Sequence, residues 1–342
     1  MFKLHKLLKT LAMKMLFFLS SALFCFCGFS QNTNYKVVKT YHIASAGGWD
    51  YIAVNSGNIY VSHGTQVNIL NEASGDSVGF IPNTNGVHGI AFDPELGRGY
   101  TSNGRANNVT VFDLKTNAIL TQIATGENPD AILFEPHTNT IITCNGRSKN
   151  LSVIDPQTNT VVATIDVGGK PETAVTDGSG KLFVNIEDKS EIVAVDLKTH
   201  AVIGHWPLGA EGPTGLAYDK STKRLFAGCD NYLVVMNAEN GTVVNKLPIG
   251  EGCDGVAFDA NHKIIFTSNG QSGTITAIKE NGADDYTVLG NYTSKRGART
   301  ITMDEKTGAL YLPTADFDAS NTQNGRPRMI PGSFQVLVMQ KQ

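Results

Sequence analysis

The sequence predicts a seven-bladed β-propeller, on three observations: a repeat of about 42 residues, seven copies of one inner-strand frame, and chain ends that complete each other. Residues 109–135, VTVFDLKTNAILTQIATGENPDAILFE, align with residues 151–177, LSVIDPQTNTVVATIDVGGKPETAVTD. Residues 192–219 and 233–259 repeat the pattern. Each unit holds four short stretches rich in Val, Ile and Thr, which favour strands. Turns that open on Asp separate them, as in Asp113-Leu-Lys-Thr-Asn117 and Asp155-Pro-Gln-Thr-Asn159. The Asp carboxylate accepts an amide two residues on and so closes the turn. Four strands at this period make one blade, and helical periodicity is absent throughout.

The innermost strand recurs at Trp49–Val54, His88–Asp93, Asp130–Glu135, Glu172–Asp177, Thr214–Asp219, Asp254–Asp259 and Arg299–Asp304, which counts seven blades. The last blade has strands near Ile301, near Leu310 and at Phe334–Met339, and it lacks a fourth. A spare strand, Lys36–Ile43, opens the chain after its leader. Pairing Val37–Tyr41 with Gln335–Met339 closes the ring and removes two free sheet edges that would invite aggregation.

The first thirty residues read as a secretory signal peptide, not as part of the fold. Lys3, Lys6, Lys9 and Lys14 precede an apolar run, Met15–Phe24, and Gly28-Phe29-Ser30 places small residues before a cut at Gln31. The run is shorter than the roughly 20 residues a spanning helix needs. Phe24 and Phe26 stand before Cys25 and Cys27 where lipidation wants a small residue, and Met13 is an alternative start. The domains are therefore 1–30, the signal peptide, and 31–342, the propeller, located in the periplasm or outside the cell. No later segment is apolar enough to span a membrane, and a monomer is expected.

Of the 28 basic and 31 acidic residues of the whole chain, the leader holds four lysines and no acid. The mature chain thus carries 24 basic and 31 acidic residues, a formal charge of −7, which disfavours nucleic acid because phosphate binding needs a basic face. Cys144, Cys229 and Cys253 remain, an odd number, so the fold does not rest on a disulfide framework. Cys229 and Cys253 fall near one face, where either apolar filling or pairing is open.

The runs Tyr100-Thr-Ser-Asn103, Leu151-Ser-Val-Ile-Asp155 and Thr158-Asn-Thr-Val-Val-Ala-Thr-Ile165 resemble the YVTN repeat of YncE-like exported propeller proteins. The resemblance covers nearly all of the mature chain and implies the same fold. Some members are described as DNA-binding, and related propellers include lactonases. The repeat residues are scaffold and carry neither activity across.

Function is expected on the face where the first residue of each innermost strand meets the central channel. Those positions are Asp50, His88, Asp130, Glu172, Thr214, Asp254 and Arg299, unlike residues inside a repeating frame. Close carboxylates raise one another's pKa and suit acid–base work. With side-chain carbonyls they also suit a hard divalent cation such as calcium. His88 is a candidate general base, and Arg299 a bidentate clamp for a carboxylate or phosphate. A second layer follows at the ends of the second strands: His63, Asn103, Asn145, Ile186, Cys229, Asn269 and Thr314. Asn-Gly after three of these strands also suits a tight turn. Trp49 is either a flat ligand platform or packing between the first and last blades, and Trp206 is inter-blade packing. The long segment 314–333 breaks the repeat; it is expected to fold over the channel mouth and to supply Arg326 and Arg328.

Three functional readings follow. The first is a binding module for a small polar ligand, a cation or a partner protein. The second is a lactonase- or lyase-like enzyme using the acidic, metal-capable channel site. The third, by resemblance alone, is a single-stranded DNA binder. No nucleophile elbow, phosphate loop, zinc signature or haem motif appears.

Overall fold

Seven four-stranded antiparallel sheets arise from the four apolar stretches of each repeat. The computed structural model describes residues 34–323 and 326–342; the expected signal peptide lies outside the described residues. Blade 3 is representative: strands a to d run Pro129–Glu135, Thr140–Asn145, Asn150–Asp155 and Thr160–Asp166, in that order from the axis outward. The innermost strands touch in chain order, and that of blade 1 meets blade 7. Apart from a 3-10 turn at Glu187–Lys189, the regular structure of the described residues is strand. No helix among them is long and apolar enough to cross a membrane.

The pattern of burial explains why blades stack. Strands b and c of blade 3 bury both faces, so their Ile, Val and Leu side chains serve two inter-blade cores. Ile142, Cys144, Leu151 and Val153 pack with Leu182, Val184, Val193 and Val195 of blade 4. Each such side chain contributes about 1.5–3 kcal/mol. Strand d alternates instead, as Ala201–Pro207 does, with one face packed and one in solvent. Trp206 on that strand packs on Phe183 of its own blade, with ring centroids 5.8 Å apart, and joins a core cluster with Leu225, Val234 and Met236 of blade 5, the inter-blade role expected of it. Among the described residues Cys144, Cys229 and Cys253 are buried free thiols, so Cys229 and Cys253 fill apolar space and do not pair.

Turn chemistry is as the sequence predicts. Asp93, Asp113, Asp155, Asp196 and Asp259 each accept an amide two residues ahead, at 2.8–3.0 Å. Asn117, Asn139 and Asn159 take the left-handed backbone conformation that completes such turns.

The ring closes as expected. Tyr35–His42 runs antiparallel to Gln335–Lys341 as the outermost strand of blade 7, with Val37 opposite Met339 and Tyr41 opposite Val336. Tyr41 is buried and donates to the Glu72 carbonyl at 2.9 Å, tying the seam to blade 1. Two innermost strands are shorter than predicted: blade 5 begins at Leu216 and blade 7 keeps only Thr302–Met303. In blade 5, Thr214 N still donates to Gly228 O of the neighbouring strand, at 3.0 Å, and in blade 7 the Arg299 side chain is engaged in the ionic contacts described below. Tyr41→Ala is expected to cost about 3–5 kcal/mol. Urea unfolding checks this; a loss under about 1 kcal/mol would mean that the seam carries little of the stability.

Candidate functional site

A backbone irregularity aims the rim residues at the axis. In blades 1 to 4, three steps along strand a match two along strand b: Trp49 lies opposite His63, but Ile52 opposite Val61. The same one-residue bulge falls after Val87, Pro129 and Pro171, and a shift of the same kind follows Cys253 in blade 6. Asp50, His88, Asp130, Glu172 and Asp254 sit inside these bulges, which turn a strand residue out of the pleat. Strand-b hydroxyls hold the distortion. Ser62 Oγ accepts from Asp50 N at 3.0 Å and donates to Tyr51 O at 2.9 Å. Ser102 accepts from Gly89 N and donates to Asp130 O in the next blade. Ser268 donates to Arg299 O, Asn185 to Thr214 O, and Thr300 to Asp50 O, so the rims of neighbouring blades are tied together.

Five of the seven predicted rim side chains, Asp130, His88, Asp50, Arg299 and Asp254, are joined by ionic contacts around the ring, and a sixth, Glu172, has ion pairs of its own. His88 Nδ1 lies 2.5 Å from Asp50 Oδ2 and 3.8 Å from Asp130 Oδ1. Arg299 contacts Asp50 Oδ1 at 3.1 Å, pairs with Asp254, and donates to Trp49 O at 3.0 Å. Its guanidinium is a tie between blades 6, 7 and 1, not the free anion clamp expected from sequence. Glu172 pairs with Lys170 at 2.5 Å, and Lys170 also pairs with Glu187. The seventh, Thr214, donates to Cys253 O at 2.7 Å, which makes it a backbone link.

Three residues central to this ring were not expected. Lys170 and Glu187 come from blade 4 loops. Tyr51 follows Asp50, and its hydroxyl lies 3.3 Å from Thr173 Oγ1 of blade 4. Tyr51 therefore crosses the channel, with a cavity of ≈ 90 Å³ beside it. The signal was available: the residues after the other rim positions are Gly89, Ala131, Thr173, Gly215, Gly255 and Thr300, all small.

The second layer departs from the expectation. Asn103, Asn145 and Asn269 are fully buried and are corrected to scaffold. Asn103 Nδ2 donates to Asn108 Oδ1 at 2.8 Å and to Thr110 Oγ1 at 2.9 Å. Asn145 and Asn269 repeat the arrangement in their own blades. They lock the b-to-c turn and leave no face for a ligand. The glycines after two of them matter at the rim: a Cβ on Gly104 would stand 2.7 Å from His88 Nε2, and one on Gly270 would stand 2.6 Å from Arg299 Cβ. His63 is also buried scaffold, bonded to Ser45 Oγ at 2.6 Å and stacked on Phe334. Ile186, Cys229 and Thr314 are buried.

Trp49 packs between Phe334 and Phe317, at centroid distances of 5.4 and 6.1 Å, so it is a wedge at the blade 1–blade 7 seam. Within segment 314–333, Phe317–Gln323 and Arg326–Met329 form a β-hairpin. Asp316 anchors it through Lys295 and through Ile330 N, 2.8 Å away. Phe317 and Pro327 wall a cavity of ≈ 680 Å³ that Arg299, Asp254, Glu187 and Gln271 also line. The segment thus reaches the channel mouth, but with apolar groups: Arg328 is exposed opposite Asp318, and the Arg326 side chain lies outside the described residues.

Charge is unevenly compensated around the ring. Burial raises the Asp50 pKa, but His88 and Arg299 outweigh it and hold the carboxyl below its ordinary value. Burial lowers His88, and its bond to Asp50 with the Asp130 charge wins, so the imidazole is held above its ordinary value. Burial and then the Asp50 charge push Asp130 up to about 6. Burial and then the Asp130 charge push Glu172 up to about 8, against the pull of Lys170. The Asp130–Glu172 side is therefore where negative charge is least neutralised.

With this geometry in place, comparison with known proteins is informative about the fold. No protein-family model and no curated protein matches the chain. Among solved structures, hydrazine synthase of Kuenenia stuttgartiensis is similar, with 14% identity and a TM-score of 0.70, over 79% of this chain and 94% of that one. The chain is a seven-bladed β-propeller. At that identity the likeness concerns architecture alone.

A pH dependence follows from Glu172. Its folded value lies above the ordinary 4.5, so the stability it contributes is complete below pH 4.5 and is lost as pH rises through about 8. Thermal melts between pH 5 and pH 9 should show a smaller alkaline loss for Glu172→Gln than for the parent. Equal slopes would remove the strained carboxyl from the account.

Proposed function

We propose that this chain is an exported binding module of the YVTN-repeat kind, whose channel mouth takes a small polar ligand. One observation carries the reading: the ≈ 680 Å³ cavity combines charged groups of the rim, Asp254, Glu187 and Arg299, with an apolar wall from Phe317 and Pro327. Pockets of this size with a few placed polar groups and an aromatic surface are typical small-molecule sites. Because Asp50 and Asp254 occupy the Arg299 guanidinium, the free capacity of the mouth is for cationic or hydroxyl-bearing groups, not for phosphate. The same geometry opposes the nucleic-acid reading. Export to the periplasm or the medium is part of the proposal and rests on the leader sequence.

The enzymatic reading is favoured by a separate observation. Asp50 lies 2.5 Å from His88 Nδ1, the contact by which a carboxylate orients an imidazole for proton transfer. Lactone hydrolysis or a lyase reaction that disappears in His88→Gln would favour it.

The binding reading is tested by thermal shift, using metal-free protein and a panel of amines, amino acids, sugars and carboxylates. Compounds that stabilise the parent should lose about two- to tenfold in affinity in Phe317→Ala, since an aromatic contact contributes about 0.5–1.5 kcal/mol. If they stabilise Phe317→Ala equally well, the cavity is not the site.

A further inference from the structure

The cations of the rim are already committed, and not to Asp130. Arg299 spans Asp50 and Asp254, and Lys170 spans Glu172 and Glu187. Among the described residues Asp130 has no Lys or Arg ion pair, and its cation-capable neighbour is His88 Nδ1, at 3.8 Å. That same nitrogen faces Asp50, while the Nε2 edge of the ring lies against Gly104. One ligand atom from each of Asp50, His88 and Asp130 falls within 4.8 Å of the other two.

Resting on the reading of the channel mouth as a ligand site, we propose that Asp50, His88 and Asp130 form a binding site for a divalent transition-metal ion of the zinc or manganese class. Three donors from three consecutive blades, two carboxylate oxygens and one imidazole nitrogen, suit such ions. Metal–ligand bonds of about 2.0–2.2 Å place donor atoms roughly 3–3.5 Å apart, so closing the set needs adjustments of about 1 Å. A bound dication would replace the Asp50–Asp130 repulsion with two attractions. Arg299 on the second oxygen of Asp50 fixes that carboxylate from behind, as outer partners of metal ligands do.

Calcium, the ion expected from sequence, fits less well. It wants six to eight oxygens, and the side-chain carbonyls of Asn103, Asn145 and Asn269 that were to supply them accept from Thr101, Thr143 and Thr267 inside their own blades.

The test uses tag-free full chain, stripped with chelator and titrated separately with Zn²⁺, Mn²⁺ and Ca²⁺ by calorimetry and thermal shift. Zn²⁺ or Mn²⁺ is expected to bind one per chain and to raise the melting temperature. Asp130→Asn, which keeps the side-chain shape, should bind it at least about tenfold more weakly. His88→Gln should do the same, and Co²⁺ absorption in the parent should report a coordinated imidazole that this variant loses. Phe317→Ala should bind metal within about twofold of the parent, so failure of the metal site and failure of the cavity are read separately. The proposal is overturned if neither Zn²⁺ nor Mn²⁺ binds, if Asp130→Asn binds as tightly as the parent, or if Ca²⁺ alone stabilises.

Discussion

Everything at the channel mouth depends on closing the ring with a strand from the other end of the chain. Until Tyr35–His42 seats on Gln335–Lys341, blade 7 has an open edge and its inner face has no fixed distance from blade 1. Yet the mouth is built across that seam. Arg299 of blade 7 grips Asp50 and the Trp49 carbonyl of blade 1. Thr300 donates to Asp50 O at 2.6 Å, and Trp49 wedges between Phe334 and the hairpin residue Phe317. A local sheet seam between distant segments is thus what converts seven similar units into one asymmetric site.

The asymmetry has a second cause in the bulges. A regular strand would send alternate side chains to the two neighbouring blades and none to the axis. One extra residue in each inner strand of blades 1 to 4 breaks that alternation where Asp50, His88, Asp130 and Glu172 stand. Hydroxyls of Ser62 and Ser102 satisfy the backbone groups that the bulge leaves over. The scaffold meets the cost of the distortion with repeat residues, and only the side chain inside each bulge is free to vary.

This division decides what could be read from sequence. Blade number, closure and the Asx turns were legible because alternation and turn chemistry are local and recur seven times. The rim was legible because unlike residues stood in a constant frame. The second layer misled because Asn-Gly encodes two things at once: Asn103 locks a turn, while Gly104 clears space for the His88 ring. Tyr51 was legible in principle, as the one large residue at a position otherwise small, but its partner Thr173 lies across the channel and no spacing rule links them. Neither the Lys170–Glu187 pair nor the hairpin packing of Phe317 recurs in other blades, so the repeat gave no frame in which to notice them.

The distribution of charge then limits the chemistry. A mouth with four rim acids could be expected to repel any anion and to be disordered by its own field. Instead Arg299 and Lys170 each bridge two carboxylates, which fixes most of the ring and leaves imbalance concentrated at Asp130. Tyr51, held in its neutral form by burial and by the charges of Asp130, Asp50 and Glu172, adds a hydroxyl but no charge there. Among the described residues Asp130 is thus the rim carboxylate without a Lys or Arg ion pair, beside the His88 imidazole. If the proposed metal site holds, it is made by side chains that stand inside the bulges, at positions where the repeat itself does not dictate the residue.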